Sequence, residues 1–369
     1  MRSLGFFVLL TLTFVFLSVC LMPSFLASSL NSSLVFFLYL IIGCYISTYS
    51  FLVFFIMYEL SLFPVCLLII FFGYQPEKVS SMFYLLLYTV VCSAPFLYYI
   101  INLNCRVISG LTSLSDYSRV LVCLSFLVKS PIYTLHSWLP KAHVEASLFG
   151  SMLLAGVILK LGRYGLLLLA PSLDSKSSFF IYLTLSGGIV CSAICCRNWD
   201  MKSLVAYSSV VHIGVVTLGA LRGLELGFWV AGGILVGHSL LSPLIFSLAY
   251  DLYLSSGSRS FVYGHTSSVS SSLLIAVGLC SGLNFGLPPF LNFWVEVSLF
   301  SIQGCLWSLS MIPLMLTAFL SFLYSILFYV LACGGPSSLT LQLNNSLYMY
   351  SPAILLLFLL RFSSPILLP

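Results

Sequence analysis

Four ionisable side chains stand inside long apolar runs of this sequence: Glu59, Lys129, Lys160 and Glu296. A charged group at the centre of a membrane helix costs roughly 2.5 to 3.5 kcal/mol on insertion scales, so four cost about 10 to 14 kcal/mol if additive. A lone Lys or Glu near a span end snorkels to the interface. Four groups near mid-depth, with both signs present, instead mark an ion or proton path and have to be paired and enclosed by protein or water. A desolvated lysine gives up its proton more readily, and a nearby carboxylate reverses that, so such a pair trades a proton when spacing or hydration changes.

The spacing supports a relay. Lys129 and Lys160 lie 31 residues apart, about 46 Å as one helix and longer than the hydrocarbon core. The chain therefore reverses between them, with Leu139-Pro140-Lys141 as the expected place, and both lysines return to similar depth on adjacent antiparallel helices. Two spans also read as broken. Pro131 cannot donate to the Leu127 carbonyl and pushes Ser130 out of the helical region beside Lys129. A second break around Gly282 to Pro289 frees the carbonyls of Asn284 and Phe285 before Glu296. Non-helical backbone at membrane depth persists only where it is buried or lines a hydrated cavity, and broken helices of this kind mark transporters. His136, His143, His212 and His238 fall between these charged groups, either as satisfied core residues or as neutral relay partners. His265 lies in a Ser-rich connector and reads as solvated.

These groups need a scaffold of spans. Of 369 residues, 60% are apolar and 6% charged, against about 25% charged in a soluble domain. A hydrated surface cannot be built from this composition, so the chain is an integral membrane protein. Apolar runs give about twelve candidate helices, near 4–22, 30–48, 50–72, 81–103, 117–139, 148–170, 178–196, 203–221, 226–252, 270–300, 306–332 and 347–361. The fold class is an all-α polytopic membrane protein, a single transmembrane domain over 1–369. The first run reads as a span, with a signal peptide as the alternative. Lys and Arg are nearly even on alternate connectors, so orientation stays open.

Other chemistries find little support. The net charge of +5 is small and spread out, which argues against nucleic-acid binding. The twelve cysteines are scattered as small core hydrophobes, and no spacing suits zinc or an iron–sulfur cluster. His143-Val144-Glu145 is an H-x-E without the P-C-x-x-C of zinc deaminases. No metal-binding, phosphate-loop or nucleophile motif is present. Gly223 with Gly227, Gly233 with Gly237, and Gly278 with Gly282 and Gly286 have small-xxx-small spacing and read as helix-packing positions.

At this point the residues resemble a known family. The run from Lys129-Ser-Pro-Ile-Tyr-Thr-Leu-His through Lys141-Ala-His-Val-Glu to Leu159-Lys-Leu-Gly-Arg-Tyr-Gly is similar to the antiporter-like membrane subunits of respiratory complex I. So are Tyr58-Glu59, Gln75-Pro-Glu-Lys, Arg197-Asn-Trp-Asp through His212, Gly237-His238-Ser and Leu287-Pro-Pro through Glu296. The matches keep family order over an antiporter-like core at about 50–300.

The resemblance implies a bundle with two discontinuous helices and a central hydrophilic axis. It implies Glu59 with Lys129 as a charged pair, Lys160 as the central relay lysine, Glu296 as the terminal carboxylate, and His136, His212 and His238 along the path. It further implies a proton-translocating subunit without a redox centre of its own; NADH, FMN, iron–sulfur clusters and ubiquinone belong to partner subunits. The expected partners are other membrane-arm subunits, including further antiporter-like ones, and membrane lipids, with no nucleic acid. The expected location is the mitochondrial inner membrane, with organelle encoding. A stand-alone cation/proton antiporter subunit and a non-pumping structural subunit are the alternative readings. Relative to the family the front looks shortened by about two helices, Ser147 stands where proline is usual, and 305–369 match only generically.

Overall fold

The computed structural model describes residues 2–20, 29–48, 50–73, 75–103, 116–169, 178–221, 225–261, 269–288, 290–306, 308–333 and 337–338. Without water to satisfy the backbone, apolar segments close their hydrogen bonds internally as helices. In chain order these run Arg2–Cys20, Ser29–Ser47, Phe51–Leu60, Leu62–Phe72, Lys78–Leu103, Asp116–Lys129, Trp138–Glu145, Leu148–Leu153, Leu159–Leu169, Ser178–Arg197, Met201–Leu221, Glu225–Ser256, Ser271–Phe285, Leu291–Leu306 and Ser308–Cys333. A π-helical turn, Leu154–Ile158, joins two of them into one rod. Val269–Ser270 and Ser337–Ser338 pair in parallel as a two-residue ladder.

The chain is a multi-pass helical membrane protein. Among the described residues, eight helices are long and apolar enough to cross a bilayer, and Val8–Cys20, Val120–Lys129 and Ser271–Phe285 are shorter apolar helices. The expected span at 347–361 and His265 lie outside the described residues.

Three helical rods form the centre: Leu148–Leu168, Met201–Leu221 and Leu226–Ser256 are buried almost throughout, whereas Lys78–Ile101 and Ser310–Cys333 are mostly exposed. The outer helices turn Phe83, Val91, Tyr98, Ile312 and Phe319 outward, the reverse of a soluble protein and the surface that lipid favours. Buried polar groups collect inside, among them Lys129, Lys160, Arg163, His143, His212 and His238. Small residues bring the rods together. A Cβ on Gly233 would stand 2.8 Å from Val295 Cγ2 and one on Gly237 would stand 2.1 Å from Asn292 Oδ1, so these glycines let Glu225–Ser256 meet Leu291–Leu306 at backbone distance.

Several expected boundaries move, each for a local reason. The 50–72 run breaks at Ser61 into two helices, because Pro64 cannot donate to the Leu60 carbonyl. The 117–139 run stops at Lys129; residues 130–137 are irregular, and a short helix Trp138–Glu145 follows. The reversal is thus spread over 130–147 rather than placed at Leu139 to Lys141. Pro140 sits in the first turn of that short helix, where its missing N–H costs nothing. The 270–300 run is two helices, and the first ends in a Schellman arrangement: Gly286 has φ +78, its N–H donates to Leu283 O at 3.3 Å, and the Leu287 N–H donates to Gly282 O at 3.0 Å.

Candidate functional site

The first break places a charged pair. Asp116–Lys129 ends with Ser130 folding back, its N–H and its Oγ both donating to Phe126 O, at 2.9 and 2.7 Å. Trp138 Nε1 donates to Val128 O at 3.1 Å, which holds the returning chain against the helix end. Thr134 adopts φ +79, a costly conformation for a β-branched residue and one that clusters at functional sites.

Lys129 is 1% exposed, and its Nζ lies 3.7 Å from Glu59 Oε1. The same ammonium donates to the Tyr58 carbonyl at 2.5 Å and sits 3.2 Å over the Tyr58 ring. Tyr58 is itself fixed by its hydroxyl, which donates to Ser125 O at 2.8 Å. The Ser61 interruption therefore puts a carbonyl, an aromatic face and a carboxylate around one lysine.

The second lysine has a different setting. Lys160 follows the π turn, a local irregularity often found at functional sites, and its ammonium donates to the Ala155 carbonyl within that turn. It also lies 3.1 Å from His238 Nδ1 and donates to Ser242 Oγ at 3.3 Å. No carboxylate pairs with it among the described residues; its partners are neutral. Gly156 makes this fit possible, since a Cβ there would stand 2.8 Å from Val15 and 2.9 Å from Pro243. Gly162, on the next turn, would meet Lys129 Cβ at 2.9 Å, so the two lysines occupy neighbouring helices at nearly one level, as the spacing predicted.

From Lys160 the polar line continues. The His238 and His212 rings have centroids 5.6 Å apart, and His212 Nε2 lies 3.0 Å from Asn284 Oδ1. His212 and Glu296 then share the wall of a cavity of ≈ 20 Å³, room for one water. Asn292 Nδ2 donates to Leu283 O at 3.1 Å, tying the helix that carries Glu296 to the second break. Gly286 leaves space for the carboxylate: a Cβ there would be 3.1 Å from Glu296 Oε2. Gly286→Ala should therefore destabilise the chain by about 1 to 2 kcal/mol, from the left-handed backbone alone, and displace Glu296. Thermal unfolding checks this, and an unchanged midpoint would refute it.

The structure thus brings Lys160, His238 and His212 together, with Glu59 and Lys129 on one side and Glu296 on the other. His136 stands apart, stacked on Tyr133 at 5.3 Å and near Tyr207 at 6.0 Å, and its Nδ1 has no hydrogen-bond partner. At the second break the carbonyls of Gly282 and Leu283 accept hydrogen bonds from outside the helix ladder, one to three residues before the Asn284 and Phe285 carbonyls expected to be freed. Ser242, the side chain of Asn284 and the Tyr58 carbonyl belong to the site although the sequence gives no sign of them. Polar residues on a helix carry no sign of which neighbour they will face, so only their apolar surroundings hinted at a role.

One rim of the bundle pins the C-terminal end of the Trp138–Glu145 helix. Gln75 Oε1 accepts from Arg259 Nη1 and Nη2 at 2.8 and 2.9 Å with its amide turned toward the guanidinium. Arg259 Nη1 also donates to Val144 O at 3.4 Å, and Lys202 Nζ donates to Ala146 O at 3.1 Å.

A bundle with interrupted helices and lysines buried at its centre is the plan of an antiporter-like membrane subunit. The family model described as NADH:quinone oxidoreductase/Mrp antiporter, TM, matches residues 48–324. The protein named NADH-ubiquinone oxidoreductase chain 4 of Albinaria caerulea is 39% identical over 326 residues, covering 83% of this chain and 75% of that protein. A chain of respiratory complex I from Thermus thermophilus superposes with a TM-score of 0.84 at 20% identity, over 98% of this chain and 81% of that one. A chain of the Mrp complex from Dietzia sp. DQ12-45-1b gives a TM-score of 0.76 at 20% identity, over 89% and 38%. The chain belongs to this antiporter-like family and, within it, to the NADH-ubiquinone oxidoreductase chain 4 group.

Proposed function

We propose that this chain is a proton-translocating subunit of NADH:ubiquinone oxidoreductase, complex I, in the mitochondrial inner membrane, and that it is organelle-encoded. The observation that carries the reading is the buried line Lys160–His238–His212–Asn284, flanked by the Lys129–Glu59 pair and by Glu296. A proton taken up by Glu59 neutralises its carboxylate and leaves the Lys129 ammonium without its counter-charge, which shifts the neighbouring Lys160–His238 pair and sends a proton on to Glu296 through His212. His136 borders the first break and serves the approach to it.

Electron transfer takes place elsewhere: NADH, FMN, iron–sulfur clusters and ubiquinone are held by partner subunits, and this chain takes part through charge alone. Its neighbours are other membrane-arm subunits, further antiporter-like chains and membrane lipids. The likeness in fold to a chain of an Mrp complex keeps a stand-alone cation/proton antiporter as the second reading. Solubilisation in mild detergent and purification through this chain separates the two. Complex I predicts co-purifying flavin and iron–sulfur absorbance with NADH:ubiquinone activity, whereas recovery with antiporter subunits alone would overturn it.

A further inference from the structure

Arg163 lies one turn beyond Lys160 on the same helix and is 1% exposed. Its Nε, Nη1 and Nη2 are sealed from solvent, and none has a hydrogen-bond partner. Guanidinium stays protonated under all ordinary conditions, and a buried charge in a membrane protein is normally paired with a carboxylate or with backbone carbonyls. Here neither is in contact.

The surroundings are basic. Arg163 lies within electrostatic reach of Lys160, His212 and His238. His143, stacked on Phe246 at 4.5 Å with both ring nitrogens unpartnered, lies within reach of Lys160 and His238 from the Trp138–Glu145 helix. The Asp116–Lys129 helix contributes Lys129, with Glu59 behind it, across Gly162. The Ser29–Ser47 helix contributes Tyr45, whose hydroxyl donates to Leu161 O at 2.8 Å. Glu59 pairs with Lys129, Glu296 lies beyond His212 at the cavity it shares with that ring, and among the described residues no carboxylate hydrogen-bonds the arginine.

We propose that Arg163 is a positioning residue of the proton path: its guanidinium, buried without a counter-charge one turn from Lys160, is the fixed positive charge that drives an arriving proton off the Lys160–His238 pair toward His212. This rests on the proton-path reading above. The step changes only N–H bonds: the proton leaves Lys160 Nζ for His238 Nδ1, the imidazole sheds its other ring proton toward His212, and nothing is oxidised or reduced. Side chains at i and i+3 stand about 6 Å apart. Like charges on adjacent turns in a low-dielectric interior disfavour each other. A permanent charge in that position makes the centre a place of transit, since a proton held there is always opposed.

The test uses the assembled complex in proteoliposomes, with proton uptake per NADH oxidised measured across pH for Arg163→Gln, Arg163→Lys and Lys160→Met. Losing the opposing charge lets the relay keep its proton to higher pH. Arg163→Gln should therefore pump several-fold less at neutral pH and show its alkaline limb moved to higher pH. Arg163→Lys should restore both. Because the native guanidinium has no partner to lose, Arg163→Gln should melt no lower than wild type. The proposal is overturned if Arg163→Gln keeps the wild-type pH profile while Lys160→Met abolishes pumping. It is equally overturned if Arg163→Gln fails to assemble and Arg163→Lys assembles, since the positive charge would then be needed for the fold. Normal pumping by Lys160→Met would instead remove the proton-path reading on which the proposal stands.

Discussion

Complex I carrying Lys160→Met should assemble, oxidise NADH, and lose coupled proton translocation by roughly 10²-fold, the lower end of what a positioned proton donor contributes. The ammonium meets only the Ala155 carbonyl, His238 and Ser242, all neutral, so a thioether of similar length leaves no opposite charge stranded in the membrane. Replacing a buried charge by a well-packed apolar side chain is commonly neutral for stability. The loss is then one of conduction, because methionine cannot carry a proton between the Lys129 side and His238. Proton uptake by proteoliposomes, normalised to NADH oxidised, reads it directly. Full pumping by the assembled variant would remove Lys160 from the path.

Gly162→Val should give the largest stability loss, about 3 kcal/mol, the upper range for overpacking a tight contact. A Cβ at 162 would stand 2.9 Å from Lys129 Cβ, 3.0 Å from Ser130 N and 3.1 Å from Phe126 O, and two of those atoms belong to the backbone of the first helix break. Neither can move without opening the turn that holds Lys129 over Tyr58. Gly43 is the control: a Cβ there meets nothing within 4 Å, and Gly43→Ala should be neutral or stabilise by about 0.5 to 1 kcal/mol, as Ala usually does inside a helix. Melting curves of the two assembled variants decide it; equal midpoints would contradict the packing account.

Much of this was legible in the residues. Glu59, Lys129, Lys160 and Glu296 announce themselves because charge is scarce and each lies inside an apolar run, and Pro131 with Pro288 and Pro289 announces the breaks. The π turn at Leu154–Ile158 leaves no such mark: Leu-Ala-Gly-Val-Ile reads as ordinary helix, and only its packing against Val15 and Pro243 distinguishes it. Pro64 lies just after the Ser61 interruption, but the unbroken apolar run over 50–72 reads as a single span and hides the kink. Ser147, a departure from the family pattern, keeps a backbone φ of −60, a value proline also adopts, and adds a cap that proline cannot make, its hydroxyl accepting from the Gly150 N–H. Arg163 was in plain view within Leu-Lys-Leu-Gly-Arg-Tyr-Gly, yet nothing in the letters says that the side chain turns inward and finds no counter-charge.

The outward-facing ring of Phe83, Val91, Tyr98, Ile312 and Phe319 acts as insulation around a conductor. Mobile ions screen charges in water beyond about 8 Å at physiological ionic strength, but they do not enter this sheath. On the proposed path, a proton gained at the Glu59–Lys129 end would thus be felt at the Lys160 centre with little loss to either aqueous phase. The lipid-facing side chains, which touch no proton, would then set how far such a signal travels.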